Sequence, residues 1–79
     1  MSVEQAMVMI YRLFGSPKVT DAGVLDSYKD ASQISPWARD AVAFSITNKL
    51  LVPDGKILPQ SPISVKALRY AIGQIGMAD

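Results

Sequence analysis

The chain has 79 residues, enough for one small domain, and 49% of them are hydrophobic, so a real core can form. The net charge of +1 gives no electrostatic basis for binding nucleic acid or an anionic membrane. Cysteine and histidine are absent, which excludes disulfides and Cys- or His-ligated zinc and removes the commonest general base. No apolar run approaches the roughly 20 residues of a membrane span. We expect no enzyme activity, no cofactor and no metal.

The first predicted helix covers about residues 2–14. Ser2 and Gln5 have the spacing of a capping box, in which each side chain satisfies the other residue's backbone donor. Gly15 and Pro17 end the helix. Its apolar stripe comprises Val3, Ala6, Met7, Ile10, Leu13 and Phe14. This stretch is apolar but carries Glu4 and Arg12 in a helical pattern, so it is not expected to be a signal peptide, and we expect any export signal to lie outside the fragment.

Residues 18–33 predict a connector. The stretch is too short and too mixed in composition for a regular helix, but a single turn around Ala22 to Leu25 fits it. We expect Val24, Leu25 and Tyr28 to anchor this segment to the core.

The second predicted helix covers about residues 35–51. Ser35 is suited to accept a backbone N–H as N-cap, and Pro36 follows at the first helical position. The apolar stripe comprises Trp37, Ala38, Ala41, Val42, Ser45 and Ile46. Because Trp37 lies on this stripe, a buried anchor is favoured over a platform for a sugar ring.

A turn at Pro53-Asp54-Gly55 separates the second helix from the third. It lacks the alternating oxygen ligands of a calcium loop. Residues 57–59 are expected to be extended, and the third helix to cover about residues 64–75 and end at Gly76. Its stripe is Val65, Leu68, Ala71 or Ile72, and Ile75. The chain therefore predicts an all-α fold, a small three-helix bundle.

The first and third helices also resemble each other. At an offset of 62 positions, Met1-Ser2-Val3 matches Ile63-Ser64-Val65, and Ile10 matches Ile72. This pattern indicates one structural unit that occurs twice. The alternative is that any two amphipathic helices with serine caps align this well.

The centre of the chain resembles the S-layer homology repeat family. That family's pattern is an aromatic residue, any residue, Asp, a gap, then Trp-Ala, a charged residue, an acid, Ala and an aliphatic residue. Here it is matched by Tyr28-Lys29-Asp30 and by Trp37-Ala38-Arg39-Asp40-Ala41-Val42. The family's Asn-Gly segment is matched by Asn48-Lys49, with Lys49 in place of glycine. Its closing helix opens with Ile-Thr-Arg-Ala-Glu, and Ile63-Ser64-Val65-Lys66-Ala67 stands there.

The resemblance implies about one and a half repeats. Residues 1–15 would be the closing helix of a preceding repeat, 16–27 a connector, and 28–79 one complete repeat. It also implies a non-catalytic module on the bacterial cell surface or cell wall. Such modules bind pyruvylated secondary cell-wall polysaccharide in grooves between repeats. Ligand-binding candidates on this view are Ser2, Arg12, Asp30, Trp37 and Ser64.

The departures from the family pattern leave a second function open. The signature Thr-Arg is Ser2-Val3 in the first copy and Ser64-Val65 in the second. Valine cannot bind a carboxylate as the arginine fork does. The alternative is therefore a protein-interaction or self-assembly module whose partners are neighbouring repeats. In either case we expect the fragment to self-associate, because stripes meant for missing neighbours would be exposed. Asp30 is favoured as a local turn or cap acceptor, and Ser2 and Ser64 as helix caps.

Overall fold

The computed structural model of this chain describes residues 1–19, 22–53 and 55–77. It describes the side chains of all of these except residues 22 and 75–77. The regular structure in these ranges is helical. Helix α1 spans Val3–Leu13, α2 spans Arg39–Thr47 and α3 spans Val65–Met77. Short 3-10 helices cover Ala22–Ser27, Ala31–Gln33 and Pro36–Ala38. Within the described ranges no strand forms. The chain is thus a small compact all-α domain with three α-helices, as the sequence predicts.

Helix α1 has the start and the end that its sequence predicts. Ser2 Oγ accepts the N–H of Gln5 at 3.2 Å, and Gln5 Oε1 accepts the N–H of Ser2 at 2.9 Å, which completes the capping box. At the other end Gly15 has a φ of 82°. The N–H groups of Gly15 and Ser16 donate to the carbonyls of Arg12 and Tyr11 at 3.0 and 3.2 Å, which is a Schellman motif.

The second helix is shorter than predicted at both ends. Its first turn, Pro36–Ala38, is 3-10 in geometry, and α2 proper begins at Arg39. The prediction that Ser35 caps this helix through an accepting hydroxyl is wrong. Its Oγ and N–H instead donate to the carboxylate of Glu4 in α1, at 2.8 and 2.9 Å. The start of this segment is therefore held by a contact between distant residues.

Helix α2 ends at Thr47 because the chain turns back there. Lys49 has a φ of 61°. Its N–H donates to the carbonyl of Ile46 at 3.1 Å, and the N–H of Leu50 donates to that of Ser45 at 2.7 Å. This is a second Schellman motif, with lysine where glycine is usual. Leu50, 3% exposed, folds back into the core instead of extending the helix.

The core lies between α1 and α2 and is closed by residues from the connecting segments. Ala6, Met7 and Ile10 of α1 are at most 1% exposed. Residues of α2 and its first turn supply the opposite wall: Ala38, Ala41, Val42, Ala43 and Ser45. Leu25 is fully buried and Val24 and Tyr28 pack against the cluster, which confirms the predicted anchoring of the connector.

In the first two helices, three predicted core positions are exposed instead. Leu13 and Phe14 are 71% and 38% exposed, and Trp37 is 61% exposed. The prediction of a buried tryptophan is therefore wrong. A 3-10 turn has three residues per turn rather than 3.6, so Trp37 leaves the phase of the α2 stripe while Ala38 points inward.

The first residues of α1 and the segment that leads into α3 lie side by side. Ser2 and Pro62 form an isolated antiparallel bridge, and the N–H of Ile63 donates to the carbonyl of Met1 at 3.0 Å. Leu58 has a φ of 52°, so the prediction of an extended stretch over 57–59 is wrong at that residue.

Helix α3 runs through Gly76 to Met77, so the predicted stop at Gly76 is wrong. Ala71 is buried and Leu68 is partly buried, whereas Val65 and Ile72 are 67% and 53% exposed. The predicted stripe position at residue 75 lies outside the described side chains. Half of the predicted α3 stripe thus has no covering partner within the described residues.

Candidate functional site

A groove of about 430 Å³ opens between the first turns of α3 and the segment that follows α2. One wall is the stretch Leu50 to Val52, which the Schellman turn at Lys49 directs back along the domain. The other wall is α3. The residues that line the groove are Leu50, Leu51, Val52, Ser64, Lys66, Ala67 and Tyr70.

The cap of α3 sets the polar side of the groove. Ser64 Oγ accepts the N–H of Ala67 at 3.0 Å, so the predicted capping role of Ser64 is confirmed. Lys66 and Tyr70 follow at a spacing of four residues, which places them on one side of the helix. Both are exposed, Tyr70 by 44%.

The groove combines three chemical features. Lys66 supplies a positive charge, Tyr70 an aromatic ring with a hydroxyl, and the opposite wall an apolar surface. None of the described residues that line it is acidic. A surface of this kind can accept a negatively charged group beside an apolar one.

The structure brings two of the five predicted site residues, Ser2 and Ser64, to neighbouring positions. Each caps its own helix, and the bridge at Pro62 joins the two helix starts. Arg12 is exposed in the last turn of α1, roughly 15 Å along the helix axis from Ser2 at 1.5 Å per residue. Arg12 and Ser2 therefore do not form one site within this chain.

Asp30 has a structural role that the sequence does not indicate. It is 6% exposed, and its carboxylate oxygens accept the N–H groups of Ile57 and Leu58 at 2.9 and 2.7 Å. These partners lie 27 and 28 residues further on, so the prediction of a local turn or cap acceptor is wrong. Asp30 fastens the loop that leads to α3.

The ionisation of Asp30 follows from these contacts. Burial on its own would raise the pKa of Asp30. The hydrogen bonds from the two loop N–H groups and from its own backbone, together with the positive charge of Lys56, outweigh burial and lower the pKa below its ordinary value. The carboxylate is thus held in its charged form as an acceptor.

Trp37 is available at the surface. Its ring is accessible to solvent, whereas the sequence favoured a buried anchor. Trp37 is not among the residues that line the groove at α3.

Besides Lys66 and Tyr70 in the groove, the sequence analysis missed two features. The first is Glu4, 4% exposed, whose carboxylate binds Ser35, since nothing in a helical stripe marks one acid as buried. The second is a hollow of about 510 Å³ lined by Lys29, Gly55, Lys56 and Leu58, beside the loop that Asp30 fastens. Two lysines give this hollow a positive rim.

None of the helices in the described ranges is long and apolar enough to cross a membrane. No protein-family model, curated protein or solved structure matches this chain.

Proposed function

We propose that this chain is a non-catalytic module of S-layer homology type that anchors a protein to bacterial cell-wall polysaccharide. The proposal includes an extracellular location at the cell surface or cell wall. Its basis in the sequence is the pattern around Trp37 and the two similar helices. On this proposal its three α-helices would be one complete repeat preceded by the closing helix of another.

The observation that carries the proposal is the groove at the start of α3. Three residues at the position of the family's closing-helix signature line it, Ser64, Lys66 and Ala67, and it contains a cation and an aromatic ring. The family's arginine is replaced by Val65, which is 67% exposed and does not line the groove. Lys66, the next residue, offers a positive charge for a sugar carboxylate, as a point charge rather than a fork.

A retention assay on purified bacterial sacculi tests this proposal. We expect the chain to be retained at low salt and lost from sacculi stripped of polysaccharide with hydrofluoric acid. Lys66→Ala and Tyr70→Ala should each reduce retention about tenfold, the loss expected from one charged or aromatic contact. Lys18→Ala removes the same charge from an exposed lysine elsewhere and should bind as the unmodified chain does. Equal retention on stripped and intact sacculi would contradict the proposal.

The second candidate is a protein-interaction or self-assembly module. It is favoured by a different observation, the exposed apolar side chains of α3, Val65 and Ile72. Sedimentation equilibrium tests it. A concentration-dependent mass supports assembly, and a monomer at millimolar concentration contradicts it.

A further inference from the structure

One side of α3 carries a row of three exposed residues. Val65, Arg69 and Ile72 follow at spacings of four and three, so they lie one above another on one side of the helix. Val65 and Ile72 are 67% and 53% exposed. We name this surface the α3 row. It is distinct from the Lys66–Tyr70 side that lines the groove, and it places a cation between two apolar side chains.

A second exposed patch has the complementary chemistry. Trp37 is 61% exposed, and Asp40 is exposed three residues further on, in the first turn of α2. The spacing of three places both side chains on the same side of the segment. We name this surface the tryptophan patch. It pairs an aromatic face with a carboxylate.

We propose that the α3 row of one copy docks on the tryptophan patch of a second copy. The guanidinium of Arg69 pairs with the Asp40 carboxylate and stacks on the Trp37 ring. Val65 and Ile72 then cover the edges of the ring. This inference rests on the self-assembly candidate and names the surfaces that would assemble.

Charge complementarity favours this pairing over a contact between two α3 rows. Residues 65–77 contain no acid, so two such rows face to face would bring arginines together. The contact between the α3 row and the tryptophan patch instead joins one arginine with one carboxylate and covers three exposed apolar or aromatic side chains.

The equivalent row of α1 supports the choice of surface. Val3, Met7 and Ile10 have the same spacing and are 9%, 0% and 1% exposed. Their helix packs on the inner side of the same segment, Pro36–Ala38 and α2. The tryptophan patch is the outer side of that segment. In the proposed contact, the segment Pro36–Ala38 and α2 would therefore lie between α1 of its own chain and the α3 row of a second copy.

A charge-exchange experiment by sedimentation equilibrium tests the pairing. Arg69→Glu and Asp40→Arg each place like charges in the contact, and each should weaken self-association at least tenfold. An equimolar mixture of the two variants should restore it, because Arg69 of one variant again meets Asp40 of the other. All the substituted side chains are exposed, and far-UV circular dichroism verifies that each variant is folded.

Lys18→Glu is the matched control, since it likewise replaces an exposed cation with a carboxylate, at a position outside both surfaces. It should leave the association constant unchanged. The proposed pairing would be overturned if both single variants still associated, or if the mixture failed to restore association. Either result would leave self-assembly itself intact. A monomeric unmodified chain would overturn both, without bearing on retention by sacculi.

Discussion

Helices α1 and α3 begin in the same way and lie in opposite environments. Ser2 and Ser64 each accept an N–H three residues on, at 3.2 and 3.0 Å. Beyond the caps the two helices diverge. Val3 is 9% exposed, and its counterpart Val65 is 67% exposed. Ile10 and Ile72, the next counterparts, are 1% and 53% exposed.

The difference lies in what each helix meets and in two substitutions. The row of α1 packs within the core that α2 closes, whereas the row of α3 has no cover within the described residues. Arg69 stands where α1 has Met7, and Lys66 stands where α1 has Glu4. The comparison shows that spacing and caps determine that a helix forms, while its neighbours determine which side is buried.

Truncation at the central position of each row should give the largest contrast. Met7→Ala removes a fully buried side chain and should destabilise the domain by about 2–5 kcal/mol, through lost burial and a cavity. Arg69→Ala changes an exposed side chain and should stay within about 0.5 kcal/mol. Urea unfolding followed by circular dichroism measures both, at a concentration where the chain is monomeric.

Two smaller truncations make the same comparison if Met7→Ala unfolds the domain completely. Ile10→Val should cost about 0.5–1.5 kcal/mol, and Ile72→Val close to nothing. Equal losses at the two isoleucines would show that the α3 row is buried in the monomer.

The charged positions next to these rows should give the next contrast. Glu4→Ala leaves the N–H and O–H of Ser35 without their acceptor, which should cost about 1–3 kcal/mol. Lys66→Ala, at the equivalent position of α3, should change the free energy of unfolding by less than about 0.5 kcal/mol. Thermal unfolding of the two variants side by side measures the difference. A neutral Glu4→Ala would mean that Ser35 is solvated rather than held.

The parts of the fold that the sequence predicted well are those set by neighbouring residues. The capping box at Ser2, the stop at Gly15 and the cap at Ser64 each depend on residues within one or two turns. The apolar spacing of α1 also predicted four of its buried residues, Val3, Ala6, Met7 and Ile10.

The parts that could not be predicted depend on long-range contacts. Ser35 is a residue type typical of an N-cap, but its N–H and O–H both donate to Glu4, 31 residues away. Asp30 likewise binds backbone groups 27 and 28 residues away. For the candidate site, Ser64 was identified, but Lys66 and Tyr70 were not, because the groove needs the turn at Lys49 to supply its second wall. The sequence does not predict that turn, because it has lysine at the position where glycine usually marks a Schellman motif.

The contact between the start of α1 and the segment that leads into α3 provides a pH-dependent test of stability. Asp30 holds the loop before Pro59 and Ser61, whose carbonyls accept the N–H groups of Glu4 and Val3. Asp30→Asn keeps one acceptor and turns an amide N–H₂ toward the other backbone donor. We expect a loss of about 1–2 kcal/mol at neutral pH, from one unsatisfied N–H.

The sign of the pH dependence follows from the lowered pKa of Asp30. Its contribution to stability is fully present above the unfolded-state value of 3.8 and is lost as the pH falls through the lower folded-state value. The difference between the unmodified chain and Asp30→Asn, measured by urea unfolding, should therefore shrink below about pH 4. A difference that grows on acidification would show that the aspartate is bound in its protonated form.

The smallest predicted effect tests the local half of the comparison. Helices α1 and α2 end in the same Schellman motif, with Gly15 at a φ of 82° and Lys49 at 61°. A lysine in the left-handed region carries a steric cost that glycine does not, partly offset by the greater freedom of glycine in the unfolded chain. Lys49→Gly should therefore stabilise the domain by about 0.5–1 kcal/mol, and Gly15→Ala should destabilise it by a similar amount. Thermal unfolding measures both. If Lys49→Gly instead destabilised the domain, the long side chain of Lys49 would have to hold the groove wall in place, and the end of α2, like the side of α3, would depend on its surroundings.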